Sequence, residues 1–528
     1  MSSFKLSRRR FLASASLASA SLASASLAVM PVAVRAQDLP PSRTAGTDVP
    51  PGQIEKAVAA LDDIVSEIME RSSVPGIAVG VVHQGKTLYA KGFGARGGDG
   101  EQTIDPDTVF QLASLSKPVG ATVVARQVSR GVVTWDSRMR DLLPWFSLSD
   151  PTVTELLTIG DLYSHRSGLP GHAGDDLEDL GFDRQSILER LRLQPLTSFR
   201  TSYAYTNFGL TAAAEAVSRA SGAEWSDLSE EALYQPLGMS RTSSRFDEFM
   251  ARENRALPHV KSGGGFETRL QRQPDAQSPA GGVSSSVNDM IKWMTMVLTD
   301  GGDLIEPDAL QPAISPQSVS SRPHVPDERA GFYGYGFNVG TDPSGRVVIS
   351  HSGAFILGAA THVSMIPSLD IGIIVLSNAA PVGAVEAIGA SFNDMVQAGR
   401  VTRDWFGGYS ERFAPFFEPE GFTAGKPFPQ AAAPAPSDSY CIGRYGHPYF
   451  GTVEVRKDGD GLALFAGPAP LKLPLQHWDG SMMVFDFSNE NAIDGSRSAA
   501  TFSGDGAQAD MLEVELFVLN GPARFKRL

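Results

Sequence analysis

The chain has 528 residues, 42% hydrophobic and 20% charged, within the range of folded globular proteins and away from disordered, collagen-like or multi-span membrane chains. At about 100 to 200 residues per domain, two or three domains are implied. Residues 1 to 36 carry five bases and no acid, so the formal net charge of −14 becomes −19 for the remainder, which disfavours a nucleic-acid partner. Cys441 is the single cysteine, excluding an intrachain disulfide, a thiolate zinc site and an iron–sulfur cluster.

The N-terminus opens with Ser7-Arg8-Arg9-Arg10-Phe11-Leu12, followed by repeated ASASL units and Val34-Arg35-Ala36. This order of basic, apolar and small residues is that of a twin-arginine export signal over 1–36. It predicts a periplasmic protein with no stable membrane insertion after cleavage. Apolar residues at helical spacing predict an amphipathic helix over Pro51 to Glu70. Gly76 to Val82 and Lys86 to Gly92 then form a hairpin around His83-Gln84-Gly85. Gly92, Gly94 and Gly97 match GxGxxG, but GDGEQTIDPDT follows instead of a helix, so the glycines are assigned to a hairpin turn.

Thr152 to Asn288 carries helical periodicity. Arg346 to His351, Ala359 to Ile366 and Ile371 to Leu376 are strands, and Ala384 to Gln397 is a closing helix. The expected fold class is therefore α/β over residues 50–400: an antiparallel sheet, assembled from both ends of this region and flanked by helices, with a mostly helical middle. A helical tail and a Pro/Ala-rich linker occupy 401–439. Short alternating runs (Thr452 to Val455, Leu462 to Phe465, Met482 to Phe487, Leu512 to Leu519) predict a small all-β, barrel-like domain over 440–528. Its role is left open between lining the active site and assembling a homo-oligomer.

Three short elements could carry chemistry. Ser114 and Lys117 are three residues apart, a helical offset that lets an amine reach a hydroxyl, just before Pro118 and at a helix start where free N–H groups favour an oxyanion. Tyr205 and Asn207 alternate onto one side of the turn-like segment Phe199 to Gly209. A phenol beside a lysine can have a lowered pKa and accept a serine proton, and an amide can orient a carbonyl. His351-Ser352-Gly353 closes a predicted strand, its glycine allowing close backbone approach. Each alone is common; a surface serine, a core ring and a structural histidine are the ordinary readings. No GxSxG elbow occurs, and the nine histidines form no ligand-spaced cluster, so His165 and His172 are assigned to capping or loops, and no metal or cofactor is expected.

Taken in order, SxxK, YxN and HxG, set in FQLASLSKP, SYAYTNFGL and ISHSGAFILG, resemble the serine β-lactamase and penicillin-binding-protein superfamily, in its class C-related branch. The C-terminal domain is similar to the lipocalin-like domain appended to some peptidases of that branch. The resemblance implies Ser114 as acylated nucleophile, Lys117 and Tyr205 as general base and proton relay, and Asn207 holding Lys117 and the substrate amide. It further implies an oxyanion hole from the N–H groups of Ser114 and Ala354, with the strand Ile349 to Gly353 pairing with an extended substrate. His351 stands where class C enzymes have the lysine of a KTG triad; a mostly neutral histidine cannot hold the β-lactam carboxylate with a fixed charge. The implied function is an exported serine hydrolase opening amide bonds of linear peptides, including those with D- or unusual residues, such as linearised microcystin. The alternatives are a β-lactamase or carboxylesterase with the same machinery, and a non-catalytic peptidoglycan or β-lactam binding protein.

Overall fold

The computed structural model describes residues 39–97, 102–269, 271–518 and 521–528. The twin-arginine segment lies outside the described residues. The chain divides into a unit ending at Thr44, whose described part holds one 3-10 turn at Pro41–Arg43, and a second unit from Ala45 to Leu528. Among the described residues, no helix is long and apolar enough to cross a membrane.

The larger unit is built on an eight-stranded antiparallel sheet. Its strands are β1 (Gly76–His83), β2 (Lys86–Gly94), β3 (Ser318–Ser321), β4 (Gly331–Tyr333), β5 (Asn338–Thr341), β6 (Val347–Phe355), β7 (Ala359–Ile366) and β8 (Ile371–Ser377), in the order β2-β1-β8-β7-β6-β5-β4-β3. The ends of the region thus meet at β1 and β8, paired from Ile77↔Ser377 to His83↔Ile371. Both faces are covered, which is why β1 reads as an almost unbroken apolar run. Ile77, Val79 and Val81 pack with Val375 and Ile373 against helices α1 (Gln53–Ala59), α2 (Leu61–Ser72) and the closing helix, where Ile388 and Phe392 complete the layer. Ala78 and Val82 face the larger core on the other side. There a Cβ on Gly80 would lie 2.5 Å from the Val287 side chain, so a glycine interrupts the valines where a helix rests on the strand.

Three expectations change in detail. The helix over 51–70 is two short helices meeting at Ala60. Gly92 and Gly94 lie inside β2 instead of in a turn; a side chain at Gly92 would meet the Ile104 carbonyl at 2.1 Å. The strand expected to stop at His351 runs on to Phe355, because β6 pairs with β7 as far as Phe355↔Ala359. His351-Ser352-Gly353 therefore sits within a strand.

The helical middle includes α3 (Ser116–Ser129), α4 (Asp175–Asp179), α5 (Asn207–Ser221) and α6 (Val287–Leu298), and α7 (Ala384–Ala398) closes the region. Residues Gly443–His447 through Pro522–Arg527 form a closed eight-stranded barrel. Half of its strands were legible as alternating runs; Leu471–Asp479 also alternates, but Pro474 within it argues against a paired strand.

The barrel docks on the catalytic region through polar contacts, most of them part-buried. Tyr449 donates its hydroxyl to Asp176 (2.9 Å), and Asn491 donates its amide to Asp179. Glu490 accepts the N–H groups of Ile356 (2.9 Å) and Leu357 (3.3 Å), just past the end of β6. Arg272, 8% exposed, lies between Glu490 (3.6 Å) and Glu178, with its guanidinium 4.9 Å from the Phe355 ring centre. Burial raises both carboxyls to about 7 even with this cation between them. Replacing Arg272 by Met leaves two buried acids unpaired, with an expected loss of about 3–5 kcal/mol at pH 8. Because acids with raised folded pKa values gain protons on folding as pH drops, the loss should shrink by pH 5; urea denaturation at the two pH values measures it.

Candidate active site

The SxxK element folds as a 3-10 turn, Ala113–Leu115, running directly into α3. Ala113 takes a left-handed backbone (φ 49°), a strained conformation that turns Ser114 toward the cavity. Ser116 fixes the turn: its hydroxyl donates to the Ala113 carbonyl (2.7 Å) and accepts the Val283 N–H (2.9 Å). This tie holds Ser278–Gly281 beside the nucleophile. Lys117 is fully buried, with Nζ 3.0 Å from Ser114 Oγ and 3.0 Å from the Ala280 carbonyl, to which it donates.

Burial lowers the Lys117 amine to about 7, with Asp175 opposing the shift and Arg272 adding to it. Nζ lies 4.5 Å from the centre of the Tyr205 ring, so the amine faces the ring of that residue. The phenol is raised by burial, contrary to the lowered pKa expected beside a lysine. The desolvation that uncharges the amine also penalises the phenolate. Lys117 is thus the group equipped to accept the Ser114 proton, and Tyr205 is a phenol able to give one. His165 braces this turn, taking the Thr206 N–H at 3.2 Å and packing 4.5 Å from Tyr205 between ring centres.

Asn207 opens α5 and lines the same cavity as Ser114 and Tyr205. It does not hold Lys117: its amide donates to Asp175 (2.8 Å), and its buried carbonyl oxygen has no partner. Asp175 also meets His172 Nδ1 at 3.0 Å. That pair escaped the sequence reading, which assigned His172 to capping or a loop and did not single out Asp175.

His351 departs from its expected place in substrate binding. It is buried and neutral, lowered to about 3 by burial and by Lys117. With its proton on Nδ1 it donates to the Ser352 carbonyl (2.7 Å) and accepts the Tyr333 hydroxyl at Nε2 (2.9 Å). Ser352 and Ala354, on the opposite face of β6, do line the cavity. Gly353 is the position where only hydrogen fits: a Cβ would stand 2.2 Å from the Leu112 carbonyl and 2.9 Å from the Ser114 nitrogen. That closeness brings β6 against the turn that carries Ser114. The pairing of β6 with β5 ends at Ser350↔Asn338, so the free edge spans 351–355, further along than the 349–353 expected for substrate pairing.

The cavity measures about 700 Å³ and is completed by Phe487, Glu490 and Phe517 of the barrel. Nothing in the sequence marked Arg272, Glu386 or Glu490 as part of it. Among the described residues, no group of three or more His, Cys, Asp or Glu is placed to hold a metal ion.

The Beta-lactamase family profile matches residues 61–392. Among characterised proteins, the chain is 28% identical to Unguisins hydrolase ungD' of Aspergillus campestris, covering 60% of this chain and 60% of that protein. It is 24% identical to the D-aminopeptidase of Gluconobacter oxydans, covering 67% of this chain and 66% of the relative. Its fold matches an octameric penicillin-binding protein homologue from Pyrococcus abyssi with TM-score 0.58 and 21% identity, over 89% of this chain and all of that one.

If the uncharged Lys117 is the base, acylation of Ser114 by an activated ester should rise with pH through about 7 and then level off, where an ordinary lysine would give no plateau below about pH 10. Stopped-flow acylation across pH 5–9 reads this limb. Gly353→Ala should slow the same acylation by about 100-fold, through displacement of β6 from the Ser114 turn.

Proposed function

The chain belongs to the Beta-lactamase family, and from that premise we propose that it is an exported serine hydrolase that opens amide bonds in linear peptides through an acyl-enzyme on Ser114. The observation that carries the reading is a buried amine, Lys117, held 3.0 Å from a serine that lies beside an unpaired strand edge. An extended peptide adds to the 351–355 edge as a further strand, with its scissile carbonyl oxygen between the Ser114 and Ala354 N–H groups. Asn207 accepts a peptide N–H on one flank.

Ser114 Oγ attacks the carbonyl carbon as its proton passes to Lys117 Nζ, and the oxyanion is received by the two N–H groups. Collapse breaks the C–N bond, with the proton delivered to the leaving amine through the Tyr205 hydroxyl. Water then releases the acyl group by the same route in reverse. The cavity favours peptides over β-lactams because the uncharged His351 offers no fixed cation for a β-lactam carboxylate. The basic, then apolar, start of the sequence supports export to the periplasm. Assembly of copies, as in the octameric homologue, is part of the proposal only as far as the shared fold supports it.

Mass spectrometry of a pool of linear L- and D-peptides, a cephalosporin and a simple ester tests the reading. Peptide products are expected with the native chain, reduced by at least about 10⁴-fold in Ser114→Ala and by about 10²- to 10⁴-fold in Tyr205→Phe. Turnover of the ester or cephalosporin alone would reassign the substrate, and no Ser114-dependent product would leave a binding protein.

A further inference from the structure

Ser352 is the cavity-facing residue of the HxG element, and its surroundings are unusual for a group that meets substrate. Its hydroxyl lies 3.0 Å from His362 Nδ1, and the carboxyl of Glu386 lines the same cavity. Glu386 comes from the first turn of α7, is 6% exposed and lines the cavity, yet its Oε2 has no hydrogen-bond partner. A buried carboxyl oxygen without a donor is costly unless something else supplies one.

No positive charge stands nearby to receive an anion. His362 is uncharged, lowered to about 4 by burial. Among the described residues of the cavity wall, Arg272 is the only Lys or Arg, and it is already held between Glu178 and Glu490. His172 is paired with Asp175. Burial raises the Glu386 carboxyl to about 7, so at pH 8 it is ionised, and a substrate carboxylate placed at Ser352 would face it with no compensating cation, whereas an amide N–H or an ammonium would supply the donor that Oε2 lacks.

The chemistry shows which part of the substrate arrives there. On the amide-hydrolysis reading the leaving amine lies by Tyr205, whose ring centre is 6.5 Å from that of His351 and so stands by the 351 end of the free edge, although His351 itself turns to the other face of β6. Ser352 is also roughly 7 Å along the strand from Ala354, one residue pair from the scissile carbonyl. The residue behind the leaving nitrogen therefore runs past Ser352 and Glu386.

Resting on the amide-hydrolysis reading above, we propose that Glu386 makes this subsite reject a carboxylate, so that the chain cuts where the residue after the scissile bond continues as an amide and not where it ends in a free acid. The substrate class is narrowed to internal peptide bonds, and removal of a single C-terminal residue is disfavoured.

The test uses two peptides of one sequence in which the residue after the scissile bond is the last, one ending in a carboxylate and one in a carboxamide. At pH 8, kcat/KM is expected to favour the carboxamide by roughly tenfold or more, and Glu386→Gln should bring the ratio near unity, mainly by raising the rate for the acid. Equal rates in the native chain, or the full preference surviving in Glu386→Gln, would overturn the proposal. Calorimetric binding of both peptides to Ser114→Ala reads the same preference as a ratio of Kd values, without turnover and with Glu386 intact. Absence of hydrolysis in the first assay then counts against the proposed reaction, whereas equal Kd values count against Glu386.

Discussion

The site depends on keeping one amine out of water. Lys117 has no exposed surface, and an ammonium there would be deprived of hydration with only a carbonyl and a hydroxyl to replace it. The uncharged form is favoured, and that is the form that takes a proton from serine. Three segments distant in sequence must meet for this to hold: the start of α3, the Ser278–Gly281 turn that offers the Ala280 carbonyl, and the Tyr205 turn that covers the amine with a ring. Ser116, bonded to the Ala113 carbonyl in its own turn, links the first two by accepting the Val283 N–H, so Lys117 and its partner carbonyl move as one body with Ser114.

A second constraint follows on the other side of Ser114. On the proposed mechanism the oxyanion is received by N–H groups from two separate elements, which requires β6 to lie almost in contact with the turn before α3. Gly353 permits this by lacking a side chain, and Thr361 on the neighbouring strand donates to the Leu112 carbonyl (2.8 Å), pinning the turn to the sheet. The left-handed backbone at Ala113 is held between these contacts. Strain of this kind persists only where surrounding bonds over-determine it, and here sheet and helix both do so.

The sequence exposed what local spacing controls. The offset between Ser114 and Lys117, the alternation of Tyr205 and Asn207 and the apolar runs of β1 and β8 are all one-dimensional signals, and the structure brings Ser114, Tyr205 and Asn207 to one cavity with Lys117 buried behind Ser114. Where side chains point is decided by register, which spacing does not reveal. His351 and Ser352 are adjacent, and their opposite orientations follow from the continuation of β6 to Phe355, beyond the end that the apolar pattern suggested. The direction of the Tyr205 shift was likewise hidden, because it depends on burial by segments far away in the chain. Glu386, Arg272 and Glu490 carry no local pattern at all; each gains its meaning only from neighbours more than 30 residues distant.

The barrel is joined to the chemistry by the acids of α4, each of which answers to a different neighbour. Asp175 holds Asn207 and His172 inside the cavity, Asp176 takes the Tyr449 hydroxyl, Glu178 faces Arg272, and Asp179 takes the Asn491 amide. One turn of helix thus fixes a substrate-facing amide on one side and the barrel on the other. Glu490 closes the circuit by binding the N–H groups that follow β6, the strand bearing Ala354. Two supports of the site, Asn207 and the end of β6, are thereby referred to the same domain. Apolar packing alone would tolerate sliding between the two bodies, but buried carboxyls with directional partners do not, since a small shift leaves a desolvated acid without its donor. The barrel is accordingly a wall of the active site whose position is set by hydrogen bonds, and the shape of the substrate cavity is a property of both bodies together.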